Sequence, residues 1–121
     1  MDHKKPYRKN GWVSMHRRGE IIVDFKKELL YGFRIGVGTR GTVPFPEKLA
    51  DVEAWYYCVW APDAISASCR GKYPTPEAAM IAGEKAAIRV LSTAHRHMGD
   101  QIFKLGESVE AQTRKDGKHY A

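Results

Sequence analysis

The first twenty residues hold Lys4, Lys5, Arg8, Lys9, Arg17 and Arg18, interleaved with Tyr7, Trp12 and His16. Cations at this density neutralise phosphates, and aromatic rings set between them can stack on unpaired bases. Only Asp2 and Glu20 oppose the six bases, so most of the chain's net charge of +6 is concentrated here. Residues 1–18 are therefore expected to be a basic arm that contacts a polyanion, though the same charge would suit a solubilising terminus. Further along, Arg34, Arg40, Arg70 and Lys72 lie in segments patterned like strands and offer a second anion-binding patch.

Other constellations carry less chemistry. Gly36-Val37-Gly38-Thr39-Arg40-Gly41-Thr42 has the glycine content of a phosphate loop. It lacks Gly-Lys-Ser/Thr, and no helix opens after it to lend its dipole. A glycine-rich hairpin is expected instead. His95 and His97, two positions apart on a helix, point to different faces. Asp100 is the one nearby candidate for a third ligand, so no metal or other cofactor is expected. Cys58 and Cys69 are spaced wrongly for CxxC chemistry or a zinc knuckle. They lie on adjacent predicted strands, where a disulfide is conceivable, but the expectation for a reduced compartment is two small buried apolar side chains. Asp51, Glu53 and Asp63 make no evident acid–base pair. A nucleophile, a base and an oxyanion donor cannot be assembled, and an enzyme is not expected.

Stepping along the chain, the strongest element is a helix from about Pro76 to about His95. Thr75 can cap it, Pro76 suits its first position, and Glu77 suits the positive end of its dipole. Met80, Gly83, Ala87, Val90, Leu91 and Ala94 recur at the spacing of one helical face. Ahead of it, Trp55–Trp60 and Ile65–Cys69 read as strands joined by a turn at Ala61-Pro62-Asp63-Ala64. Earlier still, Ile21, Val23 and Phe25, then Phe33, Ile35 and Val37, alternate with period two. A loop with one helical turn at Pro46–Leu49 is expected between Thr42 and Ala54. Beyond Gly99, the residues Ile102, Phe103, Leu105 and Val109 could line a short second helix, which Gly106 weakens.

The expected fold is α+β: an antiparallel sheet of about four strands covered by one long amphipathic helix, with a short C-terminal helix or tail. The expected organisation is a basic arm over 1–18, a single domain over 19–112 and a polar tail over 113–121. The 121 residues suffice for one core without staples. No run of about 18 apolar residues suggests a membrane span, and no apolar signal region follows Met1, so a cytoplasmic location is expected.

Residues 55–91 combine strand, turn, strand and then Gly71-Lys72-Tyr73-Pro74-Thr75-Pro76-Glu77-Ala78-Ala79 entering an alanine-rich helix. This stretch resembles the β-β-α nucleic-acid modules of phage integrase arm-binding and AP2-like domains. The resemblance implies that the strands enter a DNA groove, with Tyr57, Ser66, Ser68, Arg70 and Lys72 facing nucleic acid. The end of a double-stranded-RNA-binding domain is similar more loosely, but its basic cluster at the helix start is replaced here by Thr75-Pro76-Glu77. The expected function is thus a small non-enzymatic binding protein for nucleic acid, acting through the arm and a sheet face. Two alternatives use the same surface: a phage-type accessory protein that binds and inhibits a host protein complex, and a binder of a small phosphorylated ligand through Arg34, Arg40 and Arg70. The apolar Ile102, Phe103 and Leu105 offer a surface for a homodimer.

Overall fold

A computed structural model describes residues 5–62 and 64–116, with the backbone alone at 64–70 and 115–116. Asp63, expected in a turn, and Lys4, expected in the arm, lie outside the described residues. The chain divides into two compact units, Met1–Ile88 and Arg89–Ala121.

The first unit is built on a six-stranded antiparallel sheet, not one of about four strands. Its members, in spatial order, are β1 (Arg8–Lys9), β2 (Trp12–Ser14), β5 (Asp24–Glu28), β6 (Arg34–Gly41), β7 (Val52–Ala61) and β8 (Ala64–Tyr73). A separate ribbon pairs β3 (Arg17–Arg18) with β4 (Ile21–Ile22). The two additional strands of the main sheet come from the N-terminal stretch. Asn10 and Gly11 both adopt positive φ, 55° and 84°. An Asn-Gly pair with that geometry makes the tight turn whose twist matches a hairpin. It folds β1 onto β2, and β2 pairs with β5 through Trp12 opposite Lys27 and Ser14 opposite Phe25. Arg8 and Lys9 are therefore part of the sheet, and Arg17 and Arg18 part of the small ribbon.

Helix α1 (Pro76–Asp116) begins where the sequence places it. The Thr75 hydroxyl accepts a hydrogen bond from the Ala78 amide at 3.1 Å, as an N-cap does. Within the first unit the helix buries Ala79, Met80, Gly83, Ala86 and Ala87. All but Met80 are small, so the helix lies close to the sheet: a Cβ at Gly83 would sit 2.8 Å from Ile35 Cγ2. The opposing sheet face supplies Trp12, Phe25, Ile35, Val37, Trp55, Tyr57 and Val59, all at most 5% exposed. Phe25 meets Tyr7 edge-on at 5.8 Å and Trp55 at 6.0 Å between ring centroids.

The buried stripe stops earlier than its periodicity implies. Val90 and Ala94 are half-buried and Leu91 is exposed, because they fall in the second unit. Nor does the helix stop near His95 and restart; it is continuous to Asp116. Gly99 and Gly106 each cost about 1 kcal/mol against alanine, which lowers helix stability without forcing a break. The glycine-rich segment also departs from expectation. Gly36 and Gly38 lie within β6 rather than at a hairpin turn, and the following loop carries a 3-10 turn at Leu49–Asp51. Among the described residues, no helix is long and apolar enough to cross a membrane.

Candidate nucleic-acid interface

Strand alternation divides the sheet into two chemically different faces. Trp55, Tyr57 and Val59 point under the helix, so Tyr56, Cys58 and Trp60 belong to the other side. Sequence alone treats Trp55, Tyr56, Tyr57 and Trp60 as one cluster; the fold assigns half of it to the core. Opposite Tyr56 and Trp60, β6 presents Gly38 and Arg34, with Gly36 opposite Cys58. These two glycines give the rings room to lie down. A Cβ at Gly36 would stand 2.5 Å from Trp60 Cζ3, and one at Gly38 would stand 2.7 Å from the Tyr56 hydroxyl. Any larger residue would push the ring off the sheet.

An arginine sits over each ring. The Arg34 guanidinium lies 5.0 Å from the Trp60 centroid, and that of Arg40 lies 5.4 Å from Tyr56. Both distances suit cation–π attraction, of about 0.5–1 kcal/mol at exposed sites. The Arg40 guanidinium also approaches Gly71, where a Cβ would come within 3.3 Å. Among the described residues, neither arginine has a carboxylate partner, whereas the neighbouring charges are paired. Lys26 Nζ is 3.4 Å from Glu28, and Asp24 accepts from the His16 amide at 2.7 Å and contacts the His16 ring at 2.8 Å. Beside Arg34 lies a shallow hollow of about 210 Å³, lined by Met15, Lys26, Gly36, Gly38, Tyr56 and Trp60 among others. Arg34 and Arg40 are six positions apart on one strand, which separates them by about 20 Å. With one face of each ring on the glycine floor and an arginine over the other, a base can stack there by displacing the arginine, whose guanidinium is then free for an anionic oxygen.

The other candidate residues are dispersed. Lys5, Arg8 and Lys9 are exposed at or near the β1 edge, and Arg17 and Arg18 are exposed in the small ribbon, where Arg18 lies 4.8 Å over the Phe45 ring. Lys72 is exposed, with a positive φ of 74°. The Arg70 side chain is outside the described residues, as are Ser66 and Ser68. Tyr57, which the resemblance turns towards nucleic acid, is buried and packs 6.0 Å from Tyr73.

Trp12 is corrected from a base-stacking residue to a core residue. It is 3% exposed, and its Nε1–H donates to Glu84 Oε1 on α1 at 2.7 Å. Lys27 Nζ reaches the same oxygen at 3.2 Å. Burial by itself would raise the Glu84 pKa. The hydrogen bonds from Trp12 and Lys27, with the Lys27 charge, outweigh it and hold the carboxyl below its ordinary range. This three-residue lock joins the N-terminal hairpin, the central sheet and the helix.

Cys58 also differs from expectation. It is buried, but it is disulfide-bonded rather than a free thiol. β7 and β8 pair with Tyr57 opposite Arg70 and Val59 opposite Ala67, which brings Cys58 against the backbone of the segment between them. The expectation of two unlinked buried thiols, which rested on a reducing compartment, is therefore not met.

The alternation that separates Tyr56 and Trp60 from their core neighbours is legible in the sequence once β7 is placed. Lys26, between the core residue Phe25 and Lys27, which reaches Glu84 on the helix, could be assigned to the open face in the same way. No protein-family model, curated protein or solved structure matches this chain.

Proposed function

We propose that this chain is a non-enzymatic binding protein that takes single-stranded nucleic acid on the open face of its sheet. The observation that carries the proposal is the pair of arginine–aromatic stacks, Arg34 on Trp60 and Arg40 on Tyr56, set on a glycine floor. Bases stack on aromatic faces with about 1–3 kcal/mol each, largely irrespective of sequence, while arginines hold the backbone between them. Duplex is the poorer ligand for this surface, because its bases are already stacked and its phosphates must be met by a broader array of cations. The exposed Arg8, Lys9, Arg17 and Arg18 extend the attraction over longer range, and Trp12 does not take part.

The chain's own tryptophans supply the test. Trp12 and Trp55 are buried, while Trp60 is half-exposed on the proposed surface. Titration with a single-stranded oligonucleotide should quench a part of the tryptophan emission, and Trp60→Phe should remove that part. Binding detected by anisotropy with no quenching would place the ligand elsewhere. Absence of binding at low salt would give the arginine–aromatic face to a protein partner instead.

A further inference from the structure

We infer that residues 91–112 form a coiled-coil seam that pairs with a second copy of this chain, in antiparallel alignment. The second unit is helical from Arg89 to Asp116, and no residue of 89–114 is buried. This segment has no buried side chain to support it among the described residues, and two interior glycines weaken it. Its apolar residues nevertheless follow a strict pattern. Leu91, Met98 and Leu105 are spaced by seven, and so are Ile102 and Val109, with His95 one heptad before them. Together they alternate at four and three residues, which is the repeat of a coiled-coil seam and not of a helix lying on a sheet. One seam row holds His95, Ile102 and Val109, and the other holds Leu91, Met98 and Leu105. Ser92, Ala94, Gly99, Gly106 and Ser108 flank the seam and allow close approach, while Arg89, Arg96, Asp100, Lys104, Glu107 and Arg114 lie off it.

Area and charge both select a second copy. Leu91 is 36% exposed, Met98 55%, Ile102 71%, and Leu105 and Val109 65% each. Covering these side chains would remove roughly 500 Å² per copy, or about 1,000 Å² in total, the lower bound of a specific interface. The pairing is accordingly weak enough to depend on concentration. Charge over residues 89–116 is uneven: Arg89 and Arg96 precede Met98, while Asp100, Glu107, Glu110 and Asp116 outnumber Lys104, Arg114 and Lys115 after it. Parallel copies would align like with like. Antiparallel copies set the basic part of one against the acidic part of the other.

The test is sedimentation of the full chain over a range of concentrations, with Ile102→Asp and Leu105→Asp beside Phe103→Ser. The first two lie on the seam and are exposed, so the first unit keeps its fold, checked by its near-ultraviolet dichroism. Phe103 is 68% exposed but off the seam. The wild type and Phe103→Ser should dimerise, and the two seam variants should remain monomeric to at least tenfold higher concentration. Spin labels on Arg114→Cys should lie about 40–50 Å apart in an antiparallel dimer, from a rise of ~1.5 Å per residue. A monomeric wild type, a dimer unaffected by both aspartates, or a short label distance would each overturn the inference.

Discussion

Replacing Trp12 by alanine tests whether the N-terminal basic stretch is part of the domain. The side chain is 3% exposed, faces the helix, and donates its indole N–H to Glu84 at 2.7 Å. Truncating a buried tryptophan costs about 3–5 kcal/mol, from lost burial and the cavity left behind. That is a large share of the ~5–15 kcal/mol by which a domain is stable. Trp12→Phe separates the two contributions. It keeps most of the apolar area and loses the hydrogen bond to a charged acceptor, a change of about 1.5–3 kcal/mol. Arg8→Ala and Lys9→Ala, at exposed positions, should stay within about 0.5 kcal/mol of wild type. Urea titration followed by dichroism gives all four values from the midpoints and slopes. The expected order of loss is Trp12→Ala, then Trp12→Phe, then the two surface variants at wild-type level. If Trp12→Ala, or deletion of residues 1–14, leaves the urea midpoint unchanged, the hairpin is not integral to the sheet and the reasoning fails.

Two further predictions concern the lock and the glycine floor. The Glu84 carboxyl has a lowered pKa in the folded chain, so its stabilising contribution is present above the unfolded value and is lost as pH falls from about 5 through the folded value. Its side chain is 41% exposed, so solvent screening keeps the contribution small. Glu84→Gln should therefore be slightly less stable than wild type at neutral pH and converge with it in acid; a constant gap between their unfolding curves from pH 7 to 3 would contradict the assignment. Gly36→Val must displace the Trp60 ring, since even a Cβ would come within 2.5 Å of it. Its emission should shift to the red and oligonucleotide affinity should fall, and an unshifted spectrum would show that the ring does not rest on Gly36.

The central architecture is legible in the sequence because its signals are local. Period-two alternation marks β6, β8 and the start of β5, aromatic and β-branched content marks β7, and Thr75-Pro76-Glu77 marks the helix start, where the cap is observed, but Ile21, read as one strand with Phe25, pairs in the separate ribbon. The N-terminal strands were equally local, carried by Asn10-Gly11 between Arg8-Lys9 and Trp12-Val13, but the density of lysine and arginine reads more strongly as an arm. The continuity of α1 is less legible. Gly99 and Gly106 argue for a break on propensity alone, and the heptad pattern that spans them only emerges when the helix is taken as unbroken. Trp60 and Arg34 could not be joined from sequence, because their pairing depends on the register between β6 and β7. A shift by one residue would turn Trp60 under the helix and Trp55 outward.

The most direct measurement of the proposed function is the salt dependence of single-stranded oligonucleotide binding, compared between wild type and the double variant Arg34→Ala, Arg40→Ala. Each phosphate contact contributes about 0.7 to the slope of log affinity against log salt for a single strand. Both arginines are exposed and lack a carboxylate partner among the described residues, so the double variant should fold normally. Its slope should be shallower by about 1.4, with weaker binding at every salt concentration. An unchanged slope and affinity would show that the open face of the sheet does not hold the strand.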